Sequence, residues 1–295
     1  MKTILCSIFI LVSFSCFAQS GTEILLFDLK IENGQVHLSN GKNITNHKGY
    51  DNQPSFHPTQ PVTYYSSFND SGRSDIKTYN YETNQTTNFT LTREREYSPT
   101  VTPDGKFISC ILQRDNGDQD LVKYPIEGGK PIVLINLLKV GYHAWAGDNK
   151  VLLFVLDDST HFSLHYFYLD KNTDTVVAEN VGRSLHKIPG QNAMSFLQKV
   201  SDKQYVIKKF DMSNGVISTI MDAIPGHDQI CWLENGTILT SDGNKIYSFQ
   251  VTSFSEVKDR KWTPVIVDGD ATMLKGVTRI TTNAQNTKLA VVVAE

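Results

Sequence analysis

Short runs of apolar residues, separated by polar turns, recur along the chain at intervals of 43 to 48 residues. Each repeat begins with an apolar residue just before a turn rich in Gly, Asn, Asp or Pro, which tight hairpins accommodate. A second apolar run follows the turn, as in VTYYS, FISCI and VLLFV. Such short β-branched or aromatic runs, bounded by turns, predict buried strands. The residues that mark the six repeats are Phe56, Val101, Trp145, Ile188, Trp232 and Ile280.

A third run in most repeats alternates between apolar and polar residues, as in IKTYNY, LVKYPI and LHYFYL, and a fourth, more polar run follows. Strands buried on both faces have continuous apolar sequence, whereas strands exposed on one face alternate. The pattern therefore predicts four strands per repeat, ordered from the centre of the molecule outward. Four strands in about 44 residues form the unit of a β-propeller blade. Six repeats predict an all-β fold, a six-bladed β-propeller.

The last repeat contains only two predicted strands before the sequence reaches Glu295. Residues 23–46 offer the missing pair, because EILLFDLK is followed by the turn ENGQ and the run VHLSNGKNIT. We therefore expect the N-terminal strands to complete the last blade. Closing the ring in this way removes unpaired strand edges, which promote aggregation.

Two stretches resemble the repeats of TolB-like β-propeller proteins: QPSFHPTQPVTYYSS with GRSDIKTYNY, and SPTVTPDGKFISCI with DQDLVKY. The resemblance covers residues 52–91 and 97–136, whereas the other four repeats share the spacing and the pattern. It implies a six-bladed propeller in a periplasmic or exported setting. TolB has an α/β domain before its propeller, and this chain is expected to consist of the propeller only.

Residues 1–18 have the pattern of a secretory signal peptide. A positive residue precedes a mostly apolar run of 11 residues, and Cys16 and Ala18 place small residues at positions −3 and −1 of a cut before Gln19. The apolar run is too short to span a membrane. We expect cleavage between Ala18 and Gln19 and a periplasmic or secreted location. Acylation of Cys16, as in a lipoprotein, is the less favoured alternative.

The remaining chain, residues 19–295, is predicted to be a single propeller domain without a membrane span. It retains 27 Lys and Arg residues against 31 Asp and Glu residues. Nucleic-acid-binding proteins show a clustered basic face, and the sequence has none, so no nucleic-acid partner is predicted. Cys110 and Cys231 are the cysteines left after cleavage. Their blades are opposite in a six-fold ring, too far apart for a disulfide.

Two groups of aspartates raise the question of a calcium site, because hard cations take several oxygen ligands. Both groups lie between predicted second and third strands, where Asn, Asp and Gly build turns. A structural role in the turns is therefore favoured, and no metal ion or other cofactor is predicted. The residues concerned are Asp70, Asp75, Asp115, Asp118 and Asp120.

Residues that precede each innermost strand line the mouth of a propeller's central channel, where loops from all six blades converge. Counting back from the six repeat markers selects polar candidates in every blade. They combine carboxylates, basic side chains, histidines and one tyrosine. The predicted ligand-binding residues are Asp51, Glu96, Tyr97, His143, Arg183, His186, His227, Asp228 and Lys275.

These features favour a non-enzymatic, exported binding module for an envelope or secreted protein, a peptide or a glycan, which would bind at the channel mouth. The alternative is a carbohydrate lyase or hydrolase at the same mouth, with carboxylates or metal-bound histidines as its reactive groups. The alternative requires the rings of His143, His186 and His227 to converge, because zinc needs three or four ligands. An accessory domain of a larger envelope assembly is a third hypothesis.

Overall fold

The structure is a computed structural model that describes residues 21–157, 161–251 and 261–295. The predicted signal peptide lies outside the described residues. In these three segments, 25 β-strands form six sheets, and one short 3-10 helix spans Ala271–Met273. No helix in this part of the chain is long and apolar enough to cross a membrane. The fold is therefore all-β, as the repeat pattern predicts.

Each of the six sheets is one blade, and the strands of blades 1 to 5 follow one another along the chain. Strands β1 (Thr22–Glu32) and β2 (Gln35–Asn43) come first and belong to blade 6. Blade 1 contains β3 (Asp51–Phe56), β4 (Val62–Phe68), β5 (Ser74–Asn80) and β6 (Gln85–Asn88). Blade 2 contains β7 (Arg95–Val101), β8 (Phe107–Gln113), β9 (Gln119–Pro125) and β10 (Ile132–Ile135).

The second half of the ring repeats this order. Blade 3 contains β11 (Val140–Gly147), β12 (Lys150–Leu156), β13 (Phe162–Tyr168) and β14 (Thr173–Glu179). Blade 4 contains β15 (Val181–Lys187), β16 (Ala193–Ser201), β17 (Gln204–Asp211) and β18 (Ile217–Asp222). Blade 5 contains β19 (Ile230–Trp232), β20 (Thr237–Ser241), β21 (Ile246–Gln250) and β22 (Thr263–Pro264). Blade 6 is completed by β23 (Ile266–Val267), β24 (Arg279–Thr282) and β25 (Lys288–Ala294).

Blade 6 joins the two ends of the described chain. Its strand order is β23-β2-β1-β25-β24. Strand β1 pairs antiparallel with β25, from Thr22 opposite Ala294 to Asp28 opposite Lys288. The prediction that the N-terminal strands complete the last blade is confirmed, and β25 is paired along both of its edges.

The core consists of apolar layers between neighbouring blades. One layer joins Ile188 and Leu197 of blade 4 to Trp232 and Ile238 of blade 5, all of them buried. Indole groups also connect blades, because the Trp232 Nε1 donates to Ser195 Oγ in the preceding blade at 2.8 Å. The second strand of each blade is the most deeply buried because blades pack against both of its faces. This explains the continuous apolar runs in the sequence.

The repeat markers match the ends of the inner strands in blades 1, 2 and 5 but not in blades 3, 4 and 6. Strand β11 ends at Gly147, two residues after its marker Trp145. Strand β15 ends at Lys187, one residue before its marker Ile188, and β24 ends at Thr282, two residues after its marker Ile280. In blade 6 the last strand positions carry threonines, so the last apolar residue does not mark the turn. Where the marker and the strand end differ, the residues that face the channel differ from those obtained by counting back from the marker.

Both described cysteines are free thiols, as predicted. Cys110 lies on β8 in the layer between blades 1 and 2. Cys231 lies on β19 in the layer between blades 5 and 6. Burial raises the pKa of both thiols, so neither is a ready nucleophile in the folded protein.

Candidate functional site

The central channel opens into a cavity of about 690 Å³ at the end where the inner strands begin. We call this cavity the mouth chamber. Residues of blades 1 to 5 line it, and six aromatic rings form much of its wall. The rings contact one another at angles, with the Tyr142 and Phe154 centroids 5.6 Å apart and the Phe154 and Phe162 centroids 5.0 Å apart. The six rings belong to Tyr50, Tyr97, Tyr142, Phe154, Phe162 and Tyr205.

A second cavity of about 590 Å³, the inner chamber, lies deeper in the channel among the inner strands. The two chambers share Gln53, Tyr142 and Arg183 in their linings. We call these three residues the waist. Gln53 is fixed there, because its Oε1 accepts hydrogen bonds from Ser98 N at 2.7 Å and Ser66 Oγ at 3.1 Å.

The waist carries an ion pair between two blades. The Arg183 Nε lies 3.1 Å from Asp228 Oδ2, and its Nη2 lies 3.3 Å from Asp228 Oδ1. Burial alone would raise the pKa of the Asp228 carboxyl, but the positive charge of Arg183 outweighs it and lowers the pKa. Asp228 therefore stays ionised at neutral pH.

A second arginine reaches Tyr142 from blade 6. The Arg279 Nη2 donates to Tyr142 Oη at 2.9 Å, and the guanidinium lies 4.9 Å from the centre of the same ring. Burial opposes ionisation of Tyr142, yet the charges of Arg279 and Arg183 together lower the pKa of its phenol. In the described part of the chain, no carboxylate forms an ion pair with Arg279. The waist and its neighbours thus hold two cations and one carboxylate.

Four of the predicted residues meet at this end of the channel. Tyr97 lines the mouth chamber, and Arg183 and Asp228 meet beside it. His227 lines a smaller cavity of about 250 Å³ that also includes Arg183, Asp228 and Arg279. In the register of the structure, Tyr97, Arg183 and Asp228 each lie four residues before the end of their inner strand. Equivalent strand positions point the same way, so the three side chains converge.

The positions expected for Asp51, Glu96 and Lys275 are corrected by the structure. The Asp51 and Glu96 side chains are buried, at 1% and 0% exposure, and neither lines any of the described cavities. Glu96 lies one residue before the channel-facing Tyr97, and successive residues of a strand point to opposite faces. In blade 1 the residue that faces the channel is Gln53, two positions after Asp51, where the strand register is irregular. Lys275 is exposed and precedes β24, because its repeat marker was placed two residues too early.

The buried carboxyls face other blade residues. Glu96 accepts hydrogen bonds from Thr92 Oγ1 at 2.5 Å and Tyr124 Oη at 3.0 Å. His47 Nδ1 lies 3.5 Å from Asp51 Oδ2. Burial raises the pKa of both carboxyl groups. Glu96 is thus fixed by hydrogen bonds within blade 2, whereas neither carboxylate oxygen of Asp51 has a hydrogen-bond partner among the described residues.

His143 and His186 line the inner chamber rather than the mouth. The His143 Nε2 lies 2.8 Å from Ser109 Oγ, and the His186 Nε2 lies 2.9 Å from Ser184 Oγ. Burial lowers the pKa of each ring to about 4, so both are neutral at pH 7. Across residues 21–157, 161–251 and 261–295, no three His, Cys, Asp or Glu side chains are grouped so that they could hold a metal ion.

Asp75 and Asp120, near the starts of the third strands of blades 1 and 2, make structural contacts, as predicted. Asp75 accepts hydrogen bonds from Asn69 Nδ2 at 2.8 Å and Thr92 N at 3.2 Å. Asp120 pairs with Arg114 at 2.6 Å. These bonds use the carboxylate oxygens that a calcium ion would need.

Sequence reasoning missed two residues of the channel, Tyr142 and Arg279. Arg279 directly precedes the marker Ile280, and the counts back from the markers did not include that position. Tyr142 comes after Gly141, and a Cβ at Gly141 would lie 2.9 Å from Phe154 Cδ1. The sequence signal for Tyr142 was the glycine that precedes it. Gly141 has no Cβ atom, so the Phe154 ring can approach the strand there.

No protein-family model and no curated protein matches the sequence. Solved structures do match in fold. TolB from Acinetobacter baumannii has a TM-score of 0.55 at 10% identity over 92% of this chain, which spans 63% of that TolB. A protein assigned as TolB from Agrobacterium tumefaciens has a TM-score of 0.67 at 12% identity, with 94% of this chain and 99% of that one covered. An oligogalacturonate lyase in complex with manganese has a TM-score of 0.57 at 11% identity, with 95% and 99% covered.

Proposed function

We propose that this TolB-like propeller is an exported binding module whose ligand, a protein, peptide or glycan, enters the mouth chamber. The observation that supports the proposal is the chamber itself, which measures about 690 Å³ and gathers residues from five blades. Ligand sites are concave, mostly apolar and provided with a few convergent polar groups. The mouth chamber is concave and combines aromatic rings on its wall with Arg183 and Asp228 at its base.

The proposed partner belongs to the cell envelope or to the secreted fraction. The signal-peptide pattern of residues 1–18 supports an exported, periplasmic or secreted location. The excess of acidic over basic residues disfavours a nucleic-acid partner. Aromatic side chains suit both candidate classes of ligand, because a flat ring packs against an apolar side chain or a sugar face.

The placement of the polar residues supports binding over the enzymatic alternative. That alternative relied on carboxylates and histidines gathered at the mouth. Asp51 and Glu96 are instead buried inside their blades, and His143 and His186 each contact a serine side chain. A lyase or hydrolase activity remains a hypothesis that these positions do not support.

The test is capture by the immobilised mature chain, residues 19–295, from an envelope extract and on a glycan array. The mouth variant combines Tyr97→Ala with Phe162→Ala, which removes two rings of the chamber wall. Loss of such aromatic contacts typically weakens binding by roughly 2–4 kcal/mol. We expect the wild-type chain to capture a partner that the mouth variant loses.

The matched control combines Leu91→Ala with Leu137→Ala. These side chains are 76% and 75% exposed and lie outside the mouth chamber. The control should capture the partner as the wild type does, and thermal unfolding shows whether each variant is folded. A folded mouth variant that binds the captured partner with wild-type affinity would contradict the proposal.

A further inference from the structure

The charges at the waist are not balanced. Asp228 neutralises Arg183, whereas Arg279 donates to Tyr142 and forms no ion pair with any described carboxylate. A guanidinium cannot be deprotonated in proteins. A cation in a partly enclosed site is stabilised by an opposite charge. The geometry therefore leaves room for one negative charge beside Arg279.

We infer that the mouth chamber binds a peptide by its C-terminal carboxylate, with a large apolar last residue in the chamber. Arg183 would hold the carboxylate at the waist together with Arg279, which lines the inner chamber and contacts the waist residue Tyr142. The inference rests on the function proposed above and specifies its ligand. A planar guanidinium binds a carboxylate through two parallel hydrogen bonds. The Tyr142 hydroxyl accepts from Arg279 and can donate its own hydrogen to the same carboxylate.

The uncompensated charge of Arg183, Arg279 and Asp228 together favours a carboxylate ligand over a phosphate. Two arginines and one aspartate leave a single positive charge uncompensated, and a carboxylate carries a single negative charge. A phosphate monoester carries close to two negative charges at pH 7. It would leave the waist with an excess of negative charge beside Asp228.

The wall next to the waist favours a peptide over an acidic sugar. Ile111, Phe154, Leu156 and Phe162 form an apolar surface in the mouth chamber. An apolar side chain gains from burial against this surface. The hydroxyl groups of a uronate ring would lose their water there and find no partner on these four side chains.

Two glycines give this surface its shape. A Cβ at Gly141 would lie 2.9 Å from Phe154 Cδ1, and a Cβ at Gly182 would lie 3.3 Å from Tyr205 Cε1. Because the two glycines have no Cβ atom, the Phe154 and Tyr205 rings can lie close to the inner strands. The chamber volume of about 690 Å³ is within the range of sites that enclose a drug-sized ligand. The end of a peptide chain fits this description.

The experiment measures fluorescence polarisation with a dye-labelled hexapeptide that ends in Leu-Phe with a free carboxylate. The same peptide with a C-terminal amide is the matched ligand, and an unlabelled uronic-acid trimer serves as competitor. We expect the mature wild-type chain to bind the acid at least about 10-fold more tightly than the amide. Arg279→Gln should abolish this ratio. Arg93→Gln, which neutralises an exposed arginine outside the chambers, should preserve it.

Equal binding of acid and amide by the wild type, or no binding of the acid at millimolar concentration, would overturn the inference without any variant. If the uronic-acid trimer displaces the labelled peptide at a lower concentration than the unlabelled acid peptide does, the assignment of a peptide as the ligand is overturned. In each case the proposed function stands if the Tyr97→Ala and Phe162→Ala pair still abolishes capture of a partner. If that pair leaves capture intact, the proposed function itself fails.

Discussion

Arg183 of blade 4 and Asp228 of blade 5, which are 45 positions apart in the chain, form a bidentate ion pair at the base of the mouth chamber. The pair connects two neighbouring blades near the starts of their inner strands. Its geometry follows from the repeat, because both residues lie four positions before the end of an inner strand. The ion pair therefore has consequences for stability as well as for the ligand site.

Substitution of either residue of this ion pair alone should lower the free energy of unfolding, because it leaves the other charge uncompensated. Arg183→Ala leaves the partly buried Asp228 carboxylate uncompensated, so we expect a loss of about 1–3 kcal/mol in the free energy of unfolding. Arg183→Ala combined with Asp228→Ala should cost less than the sum of the single changes. Urea denaturation of the four proteins measures this coupling. Strict additivity would mean that the two side chains do not interact in solution.

Tyr142 should be the first of the channel tyrosines to ionise. Arg279 and Arg183 lower the pKa of its phenol against the effect of burial, whereas burial raises the pKa of Tyr50 and of Tyr97. A spectrophotometric pH titration of the folded protein should show an early tyrosinate step. Tyr142→Phe should remove this step, and Arg279→Gln should move it to higher pH. An unchanged titration of Tyr142→Phe would exclude the assignment.

The stability of the protein should fall between pH 6.5 and pH 4. Burial lowers the pKa of His143 from 6.5 to about 4, so the unfolded chain binds a proton in this interval that the folded chain does not. His143→Gln keeps a hydrogen-bonding side chain that does not titrate. Between pH 6.5 and pH 4 its free energy of unfolding should therefore fall by roughly 1–3 kcal/mol less than that of the wild type. Urea midpoints at several pH values measure the difference. His37→Gln, on strand β2, is the control and should follow the wild type.

The closure of blade 6 should be essential for stability. Leu38 on β2 is fully buried, and Leu38→Ala should cost about 2–5 kcal/mol through the lost contacts and the cavity it leaves. Ile31 on the neighbouring strand β1 is 38% exposed, and Ile31→Ala should cost far less. Denaturation of the mature variants gives both values. Equal, small losses would contradict the pairing of the N-terminal strands with the rest of blade 6.

The architecture could be predicted from the sequence because it depends on features that repeat. Turn residues and apolar runs recur six times, so an error in one repeat does not change the number of blades. The missing strands of blade 6 were found at residues 23–46 for the same reason. Strand pairing in the structure extends from Thr22 to Asn43, close to those limits.

The site was only partly predictable, because it depends on the register of single residues. Strand side chains alternate between two faces, so a shift of one position exchanges a channel residue for a buried one. Tyr97, Arg183 and Asp228 were identified, whereas Asp51 and Glu96 are buried between blades. Arg279 was missed because it lies three residues before the end of β24, a position that the counts back from the markers did not include.

Selective blocking of the mouth chamber tests the central claim most directly. Both described cysteines are buried thiols, so a cysteine introduced at the surface can be labelled alone. Lys199 lines the mouth chamber and is exposed, whereas Lys130 is exposed on blade 2 and lines none of the described cavities. The measurement is the dissociation constant of the captured partner for mature Lys199→Cys and Lys130→Cys chains, each labelled with a bulky maleimide. We expect a loss of affinity of at least about 10-fold, or about 1.4 kcal/mol, for labelled Lys199→Cys alone. Wild-type affinity of that labelled protein would contradict binding at the channel mouth.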